Sequence, residues 1–184
     1  MYYEMTIAGC KRQLPLCKLN DDLMIGAFVI FGDAELTVAC AAELLKKAPE
    51  YDYLLTAESK GIPLIHEMAR QNGDRKYFVA RKAPKLYMTG VFEVDVHSIT
   101  TAKEQKLYLD TADAEIMKGK KILIIDDVIS TGESLAALEK LVNAAGGEIC
   151  GRMAILAEGD AQNRKDIIYL EKLPLFNNKG EVIE

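Results

Sequence analysis

The sequence predicts a single α/β domain in which helices flank a mostly parallel central sheet. Two observations predict this class. Short aliphatic runs typical of buried strands alternate along the chain with helical patterns. The chain has 184 residues, of which 49% are hydrophobic, and this suffices for one domain with a substantial core.

Four strands are predicted where nearly continuous apolar runs suit a sheet that is covered on both faces. They are residues 53–57, 76–80, 122–126 and 149–156. Helices are predicted between them, so that strand, helix and strand follow one another through right-handed crossovers.

Each of three helices has its own local signal. Asp33 is a capping residue for a helix over 34–47. Pro63 suits the first turn of a helix that ends near Arg70. The third helix, 134–145, ends at two glycines and carries an apolar face made of Leu135, Leu138, Val142 and Ala145.

The two ends of the chain do not follow this alternation. Residues 1–25 and 157–184 are predicted to form a small cap, or hood, over a core of about 26–156. Residues 84–106 are polar and mixed, which favours a mobile excursion, although 91–96 (VFEVDV) alternates as a strand does.

Composition excludes several classes of protein. The formal charge of −5 argues against non-specific nucleic-acid binding, and no apolar run is long enough to span a membrane. The first residues lack the pattern of a signal peptide. The cysteines form no C-x-x-C pair and the two histidines are far apart, so neither a disulfide framework nor a Cys/His metal site is expected, and a reducing cytoplasm fits best.

The stretch ILIIDDVISTGES, residues 122–134, places Asp126 and Asp127 at the predicted end of a buried strand. Ligands of parallel sheets bind at such ends. The turn Val128–Ser134 then opens a helix, whose first N–H groups attract anions. Carboxylates repel phosphate, so the two acids would bind sugar hydroxyls or a cation that itself holds phosphate. Taken alone, a loop with merely solvated acids is equally compatible with the pattern.

A second strand end repeats this theme. In YLLTAESKGIP, residues 53–63, a turn of Glu58, Ser59, Lys60 and Gly61 precedes the predicted helix and offers another anion site. Alone it would be an ordinary strand–helix turn. A basic cluster follows the next strand and would by itself usually be a solvated surface; it consists of Arg81, Lys82 and Lys85.

The segment ILIIDDVISTGES resembles the phosphoribosyl pyrophosphate (PRPP) motif of the type I phosphoribosyltransferases, and it matches neither a Walker loop nor a dinucleotide fingerprint. The resemblance implies that Asp126 and Asp127 contact the ribose hydroxyls and steady the positive charge that develops on the ribose. It also implies a loop that holds the 5-phosphate, made of Ser130, Thr131, Gly132, Glu133 and Ser134.

The same resemblance gives roles to the second strand end and to the excursion. Pyrophosphate would be bound by Glu58, Ser59, Lys60, Gly61, Arg81, Lys82 and Lys85. Residues 88–106 would be the family's flexible loop, which closes over PRPP and excludes water. Glu104 falls near the position of a proton-handling glutamate, but no tyrosine adjoins it, and a solvent-facing glutamate is an equal alternative.

The arrangement is closest to the purine branch, which includes adenine and xanthine enzymes. Residues 156–176 resemble a segment of bacterial adenine phosphoribosyltransferases, which favours adenine. Phe28 could stack on the base and Glu158 could accept from its N–H groups, although a core phenylalanine and a surface glutamate are the commoner readings. The implied cofactor is Mg²⁺ held mainly through PRPP, with no dedicated protein ligands.

Other functions remain open at this point. They are transfer to xanthine or another purine, transfer to orotate, and a PRPP-binding regulator that catalyses nothing. Homodimers are usual in the family, and the apolar run of Leu86, Tyr87 and Met88 hints at one, although it could equally be a strand against the core.

Overall fold

The computed structural model describes residues 1–96 and 105–183. The strands within these ranges are β1 Tyr2–Ile7, β2 Cys10–Lys18, β3 Leu23–Gly26, β4 Tyr53–Ala57, β5 Phe78–Ala80, β6 Val91–Val96, β7 Gln105–Asp110, β8 Lys121–Ile129, β9 Glu148–Glu158, β10 Ile168–Leu173 and β11 Leu175–Asn177. The helices are α1 Ala34–Lys47, α2 Gly61–Asn72, α3 Thr111–Met117, α4 Glu133–Ala144 and a short 3₁₀ helix Gly159–Asn163. Over the ranges that are described, no helix has both the length and the apolar character needed to cross a membrane.

The centre of the fold is a five-stranded parallel sheet in the order β10-β9-β8-β4-β5. Its middle strands carry aliphatic side chains towards two separate buried clusters. Ile122 and Ile124 pack with α4 on one face, whereas Leu123 and Ile125 pack with α1 and α2 on the other. Strands that are covered on both faces carry apolar side chains along nearly their whole length, which is the pattern that predicted this sheet. The predicted fold class is therefore confirmed.

The predicted helices are present with small shifts at their ends. Helix α1 covers the predicted residues, and its first turn is capped where the Leu36 N–H donates to Asp33 Oδ1 at 3.1 Å. Arg12 of β2 donates to the same carboxylate, with Nε 2.6 Å from Asp33 Oδ2. This guanidinium is the main cause of the lowered pKa of Asp33. A charged contact thus ties the terminal strands to the start of α1.

Strand β8 differs from the prediction at its end, because it runs to Ile129 instead of stopping at Asp126. Its pairing with β9 continues through Asp126↔Ala154 and Ile129↔Ala157. The expected turn therefore begins two residues later than Val128. Pairing with a neighbouring strand, which no local pattern reveals, decides where this strand ends.

The terminal segments form a second sheet in the order β1-β2-β3-β11, in which all pairs are antiparallel. Strand β11 joins β3 through pairs such as Phe176↔Met24. Ile7 and Leu14 of this sheet pack into the cluster on the α1 and α2 face. This sheet is the cap that forms part of the predicted fold class.

Part of the predicted excursion is regular structure. Strands β6 and β7 pair as an antiparallel hairpin, so the alternating segment 91–96 is a strand and not part of an irregular excursion. Its base is fixed to the central fold where Arg81 and Tyr108 exchange backbone hydrogen bonds of 2.8 and 2.9 Å. Residues 97–104 between the two strands lie outside the part that the structure describes.

Candidate active site

A crevice opens between β4 and β8 at the carboxyl edge of the central sheet. The two strands pair only as far as Leu55↔Ile124, after which β4 stays with β5 while β8 stays with β9. The chain leaves β4 through α2 towards one side and leaves β8 through α4 towards the other. Such a switch in connection direction is where open α/β sheets bind ligands.

Asp126 and Asp127 lie on β8 at the edge of this crevice. They are only 8% and 4% exposed, and the Asp127 N–H donates to Asp126 Oδ1 at 2.9 Å. Burial, followed by the neighbouring Asp127 carboxylate, raises the pKa of Asp126 well above its usual range. Two buried carboxyl groups this close together are stabilised by hydroxyl donors or by a cation.

Lys60, at the start of α2, reaches across the crevice to one of these acids. Its Nζ lies 2.8 Å from Asp127 Oδ2 and donates to the Phe28 carbonyl oxygen at 3.0 Å. The ammonium therefore neutralises part of the acidic pair and is itself oriented by the chain that follows β3. No sequence signal links these three residues, because they lie far apart along the chain.

Gly61 is required by the close approach of α2 to β4. A Cβ atom at this position would lie 2.4 Å from Thr56 Oγ1 and 3.6 Å from the Asp126 Cα. The Thr56 hydroxyl is fully buried and has no hydrogen-bond partner in the part of the chain described. Gly61 thus lets the helix start sit directly beside the acidic pair.

The predicted basic cluster gathers around Glu58. Glu58 Oε1 accepts from Arg81 Nη2 at 2.9 Å and lies 3.4 Å from Lys85 Nζ, while Oε2 accepts from the Lys82 N–H at 2.9 Å. The Arg81 hydrogen bond, and then that of Lys82, lowers the pKa of Glu58 to about 2. Charge contacts of Glu58 therefore join the turn after β4 to the basic cluster after β5.

The loop after β8 is built differently. Gly132 has a φ of 80° and precedes α4 without a side-chain cap. Thr131 Oγ1 accepts from the Glu133 N–H at 3.5 Å, and Glu133 and Ser134 lie in the first exposed turn of α4. Because Gly132 has no side chain with which to cap the helix, the N–H groups of the first turn other than that of Glu133 can donate to an external anion.

The remaining predicted site residues differ in their burial and in their contacts. The Phe28 ring is 4% exposed and belongs to the core cluster on the α1 and α2 face, and its stacking on a base stays a prediction. Glu158, at the end of β9, is 9% exposed, and within residues 1–96 and 105–183 its carboxylate has no hydrogen-bond or ion-pair partner. Ser59 flanks Lys60, and Glu104 lies outside the described residues. Among those described, no three His, Cys, Asp or Glu side chains form a metal-binding group.

Arg164 is a residue that the sequence reasoning did not select. It follows the 3₁₀ helix, and a Cβ atom on Gly132 would lie 2.9 Å from its Nη1. The sequence signal for Arg164 was the basic pair that it forms with Lys165 after the 3₁₀ helix that follows β9, and such a pair is not specific for any function.

Comparisons with known proteins agree on the kind of domain and differ in the base that the relatives use. The family model described as phosphoribosyl transferase domain matches residues 33–181. A hypoxanthine/guanine phosphoribosyltransferase of Methanococcus maripaludis is 33% identical over 141 residues, which cover 73% of this chain and 72% of that protein. One from Methanococcus vannielii is 34% identical over 139 residues, covering 72% and 71%.

Solved structures share the fold. The adenine phosphoribosyltransferase of Thermoanaerobacter pseudethanolicus superposes with a TM-score of 0.64 at 21% identity, over 78% of this chain and 84% of that one. The adenine enzyme of Saccharomyces cerevisiae gives 0.61 at 19% identity, with 92% of each chain covered.

Proposed function

The chain belongs to the type I phosphoribosyltransferase family, in its purine branch, and on that premise we propose that it transfers 5-phosphoribose from PRPP to a 6-oxopurine base, releasing pyrophosphate. The observation that carries the proposal is the crevice between β4 and β8, where a buried acidic pair lies between two loops that each lead into a helix N-terminus.

Each part of PRPP has a matching part of the crevice. The loop 130–134 would bind the 5-phosphate through backbone N–H and hydroxyl groups. Asp126 and Asp127 would accept from the ribose hydroxyls and stabilise positive charge on the ribose as its bond to pyrophosphate breaks. Lys60 and the cluster around Arg81 would bind the departing pyrophosphate.

The donor set of the crevice fits a magnesium ion that is held mainly through its substrate. Asp127 is already paired with Lys60, so few carboxylate oxygens are left for a metal. Mg²⁺ keeps several waters and binds readily through substrate phosphates. When bound, the ion would neutralise charge on pyrophosphate.

The preference for a 6-oxopurine rests on Glu158 and on the curated relatives. Glu158 is 9% exposed and has no partner among the described residues, so its carboxylate is available to a ligand that offers N–H groups. Hypoxanthine offers its N1–H, and guanine offers N1–H and its amino group side by side to the two oxygens of a carboxylate. Adenine offers only its 6-amino group at this edge, because its N1 carries no hydrogen. Proteins that are 33% and 34% identical are hypoxanthine/guanine enzymes.

Adenine is the second candidate, because residues 156–176 resemble a segment of bacterial adenine phosphoribosyltransferases. For either base, Glu104 remains our candidate for handling the purine proton. We also propose a homodimer in the reducing cytoplasm, because Leu86 and Tyr87 are exposed beside the basic cluster and the four cysteines are free.

The test is to offer hypoxanthine, guanine, xanthine, adenine and orotate separately with PRPP and Mg²⁺, and to measure nucleotide and pyrophosphate. We expect turnover with hypoxanthine or guanine. Turnover with adenine alone would contradict the base preference. Tight PRPP binding without turnover on any base would favour a regulator instead.

Glu158→Gln sharpens this test. We expect the KM for the base to rise about 10-fold while the KM for PRPP stays unchanged. Glu148→Gln, at the exposed start of the same strand, is the matched control. An unchanged KM for the base would remove Glu158 from the purine pocket.

A further inference from the structure

Arg164 reaches the loop after β8 from a distant part of the chain. It stands directly after the 3₁₀ helix Gly159–Asn163, where its N–H donates to the Ala161 carbonyl oxygen at 3.2 Å. Its Nη1 occupies the space where a side chain on Gly132 would begin, 2.9 Å from that Cβ position. The guanidinium therefore lies against the residue that starts α4.

The orientation of this guanidinium is fixed by Asp166. Arg164 Nε donates to Asp166 Oδ1 at 2.9 Å, and Nη2 donates to Oδ2 at 2.7 Å. This fork uses one edge of the planar group and leaves the two N–H groups of Nη1. Over residues 1–96 and 105–183, Nη1 has no hydrogen-bond acceptor. The Arg164 side chain is 34% exposed, so a ligand on the loop could reach it.

Asp166 is in turn linked to the helix that the loop begins. Its Oδ2 lies 3.9 Å from Arg152 Nε, and Arg152 forms an ion pair with Glu139 of α4. The guanidinium is thus anchored to the same helix whose N-terminus forms the candidate phosphate site. Anchoring of this kind holds a charged donor in place before a ligand arrives.

The loop needs a cation from elsewhere. Residues 128–134 contain no lysine or arginine and one acid, Glu133. The loop after β4, by contrast, carries its own Lys60. A phosphate monoester brings close to two negative charges at neutral pH, and a helix N-terminus supplies only about half a unit of positive charge.

We propose that Arg164 is a further phosphate-binding residue, whose Nη1 edge binds the 5-phosphate of the phosphoribosyl group beside Gly132, and that Asp166 is its positioning residue. The proposal rests on the proposed function of the loop 130–134. It predicts that the two ends of PRPP depend on different cations: the 5-phosphate on Arg164 and the pyrophosphate on Lys60.

The test uses two probes that separate these ends, ribose 5-phosphate and inorganic pyrophosphate, with affinities measured by calorimetry. Arg164→Gln is expected to weaken ribose 5-phosphate binding about 10-fold or more and to change pyrophosphate binding less than about 2-fold. Lys165→Gln, which removes an exposed neighbouring charge, is the matched control and should leave both affinities unchanged.

A second variant keeps the charge and removes its anchor. Asp166→Asn should weaken ribose 5-phosphate binding by a smaller factor than Arg164→Gln, because the cation remains while its orientation is lost. This variant also decides the question if Arg164→Gln does not fold. Wild-type affinity for ribose 5-phosphate in the folded Arg164→Gln variant overturns the proposal, as does an equal loss of both probes.

Failure of the proposed function gives a different result. In that case the unaltered protein would transfer phosphoribose to none of the bases offered. If the unaltered protein turns over but Arg164→Gln binds ribose 5-phosphate normally, only the role of Arg164 is wrong. If the unaltered protein turns over but binds no ribose 5-phosphate, the role of Arg164 is overturned and the proposed function stands.

Discussion

The two loops that flank the crevice, which we propose bind the pyrophosphate and the 5-phosphate of PRPP, are built in different ways. The loop after β4 is rich in charges that are already paired, with Lys60 on Asp127 and Glu58 on Arg81. The loop after β8 offers an uncapped helix start and a glycine with a φ of 80°. The first must exchange one partner for another when a phosphate binds, whereas the second has its donors ready.

This difference suits what each loop would hold. Pyrophosphate has to leave after every transfer, and internal carboxylates that can take back the cations lower the cost of its departure. The 5-phosphate stays with the substrate and the product, so fixed backbone donors can anchor it throughout. The exchangeable ion pairs of the loop after β4 would therefore serve the release of pyrophosphate, and the fixed dipoles of the loop after β8 would anchor the 5-phosphate.

The largest expected effect comes from removing the acids between the loops. Asp126→Asn with Asp127→Asn should lower the rate of transfer by at least about 100-fold, because the charge that develops on the ribose loses its stabilising carboxylates. Steady-state assays measure this, and circular dichroism checks the fold. Asp113→Asn, a surface acid paired with Lys76, is the control. Wild-type activity in the double variant would contradict the site.

Lys60→Met tests the exchangeable loop. Pyrophosphate affinity should fall about 10- to 100-fold, since a charge-assisted contact is lost. The free energy of unfolding should fall by about 1–3 kcal/mol, because the buried Asp127 carboxylate loses its cation.

A second substitution separates these two effects of Lys60. Adding Asp127→Asn to Lys60→Met should restore stability without restoring pyrophosphate binding, as urea unfolding and calorimetry would measure. Lys46→Ala, which removes an exposed pair with Glu43, is the control and should lower neither stability nor pyrophosphate binding. Lost stability that the second substitution leaves unrepaired would mean that Lys60 matters for some reason other than the charge of Asp127.

Two glycines distinguish crowding from backbone strain. Gly61→Ala should lower the free energy of unfolding by about 1–3 kcal/mol, because its Cβ would meet Thr56 Oγ1. Adding Thr56→Ala should recover much of that loss. Gly132→Ala should cost about 1 kcal/mol, mainly through its positive φ, because the Arg164 Nη1 that its Cβ would meet lies at the end of a flexible side chain. Thr56→Ala should not repair this loss. Thermal denaturation of the four variants measures the coupling, and equal rescue of both glycine variants would refute the distinction.

The smallest expected effects concern pH. The pKa of Asp126 is raised, so the folded state binds more protons than the unfolded chain above the normal carboxyl range, and stability falls as pH rises. Asp126→Asn removes this penalty, and the variant should gain stability relative to wild type, on the order of 1 kcal/mol, between pH 4 and pH 8.

Glu58 should behave in the opposite sense. Its pKa is lowered to about 2, so its full contribution to stability is present above the normal pKa of glutamate. This contribution is lost as the pH falls from that normal pKa through about 2. Glu58→Gln should therefore be less stable than wild type at pH 7, with a gap that narrows in acid. Urea unfolding at several pH values measures both trends, with Glu43→Gln, whose side chain is 41% exposed, as the control. Parallel trends for the two acids would contradict the contrast between the loops.

Local signals predicted the parts of the fold that local physics decides. Asp33 caps α1 because an acid before an apolar helical pattern needs only its own neighbours. The end of β8 was misplaced because pairing with β9 holds Val128 and Ile129 in the sheet. The site residues near 126–134 could be named from one motif, whereas the contacts of Lys60 with Asp127 and of Arg164 with Gly132 join distant segments and left no pattern in the sequence.

The antiparallel pair of β3 and β11 has a consequence for synthesis of the chain. The Phe28 carbonyl that holds Lys60 follows β3 directly, yet β3 receives its second neighbour only when residues 175–177 have emerged from the ribosome. Until then the edge of β3 is open to pairing with another nascent chain. The support of Lys60 is therefore among the last features of the molecule to be completed, and a chain still being translated carries the motif for its substrate before it has a finished site.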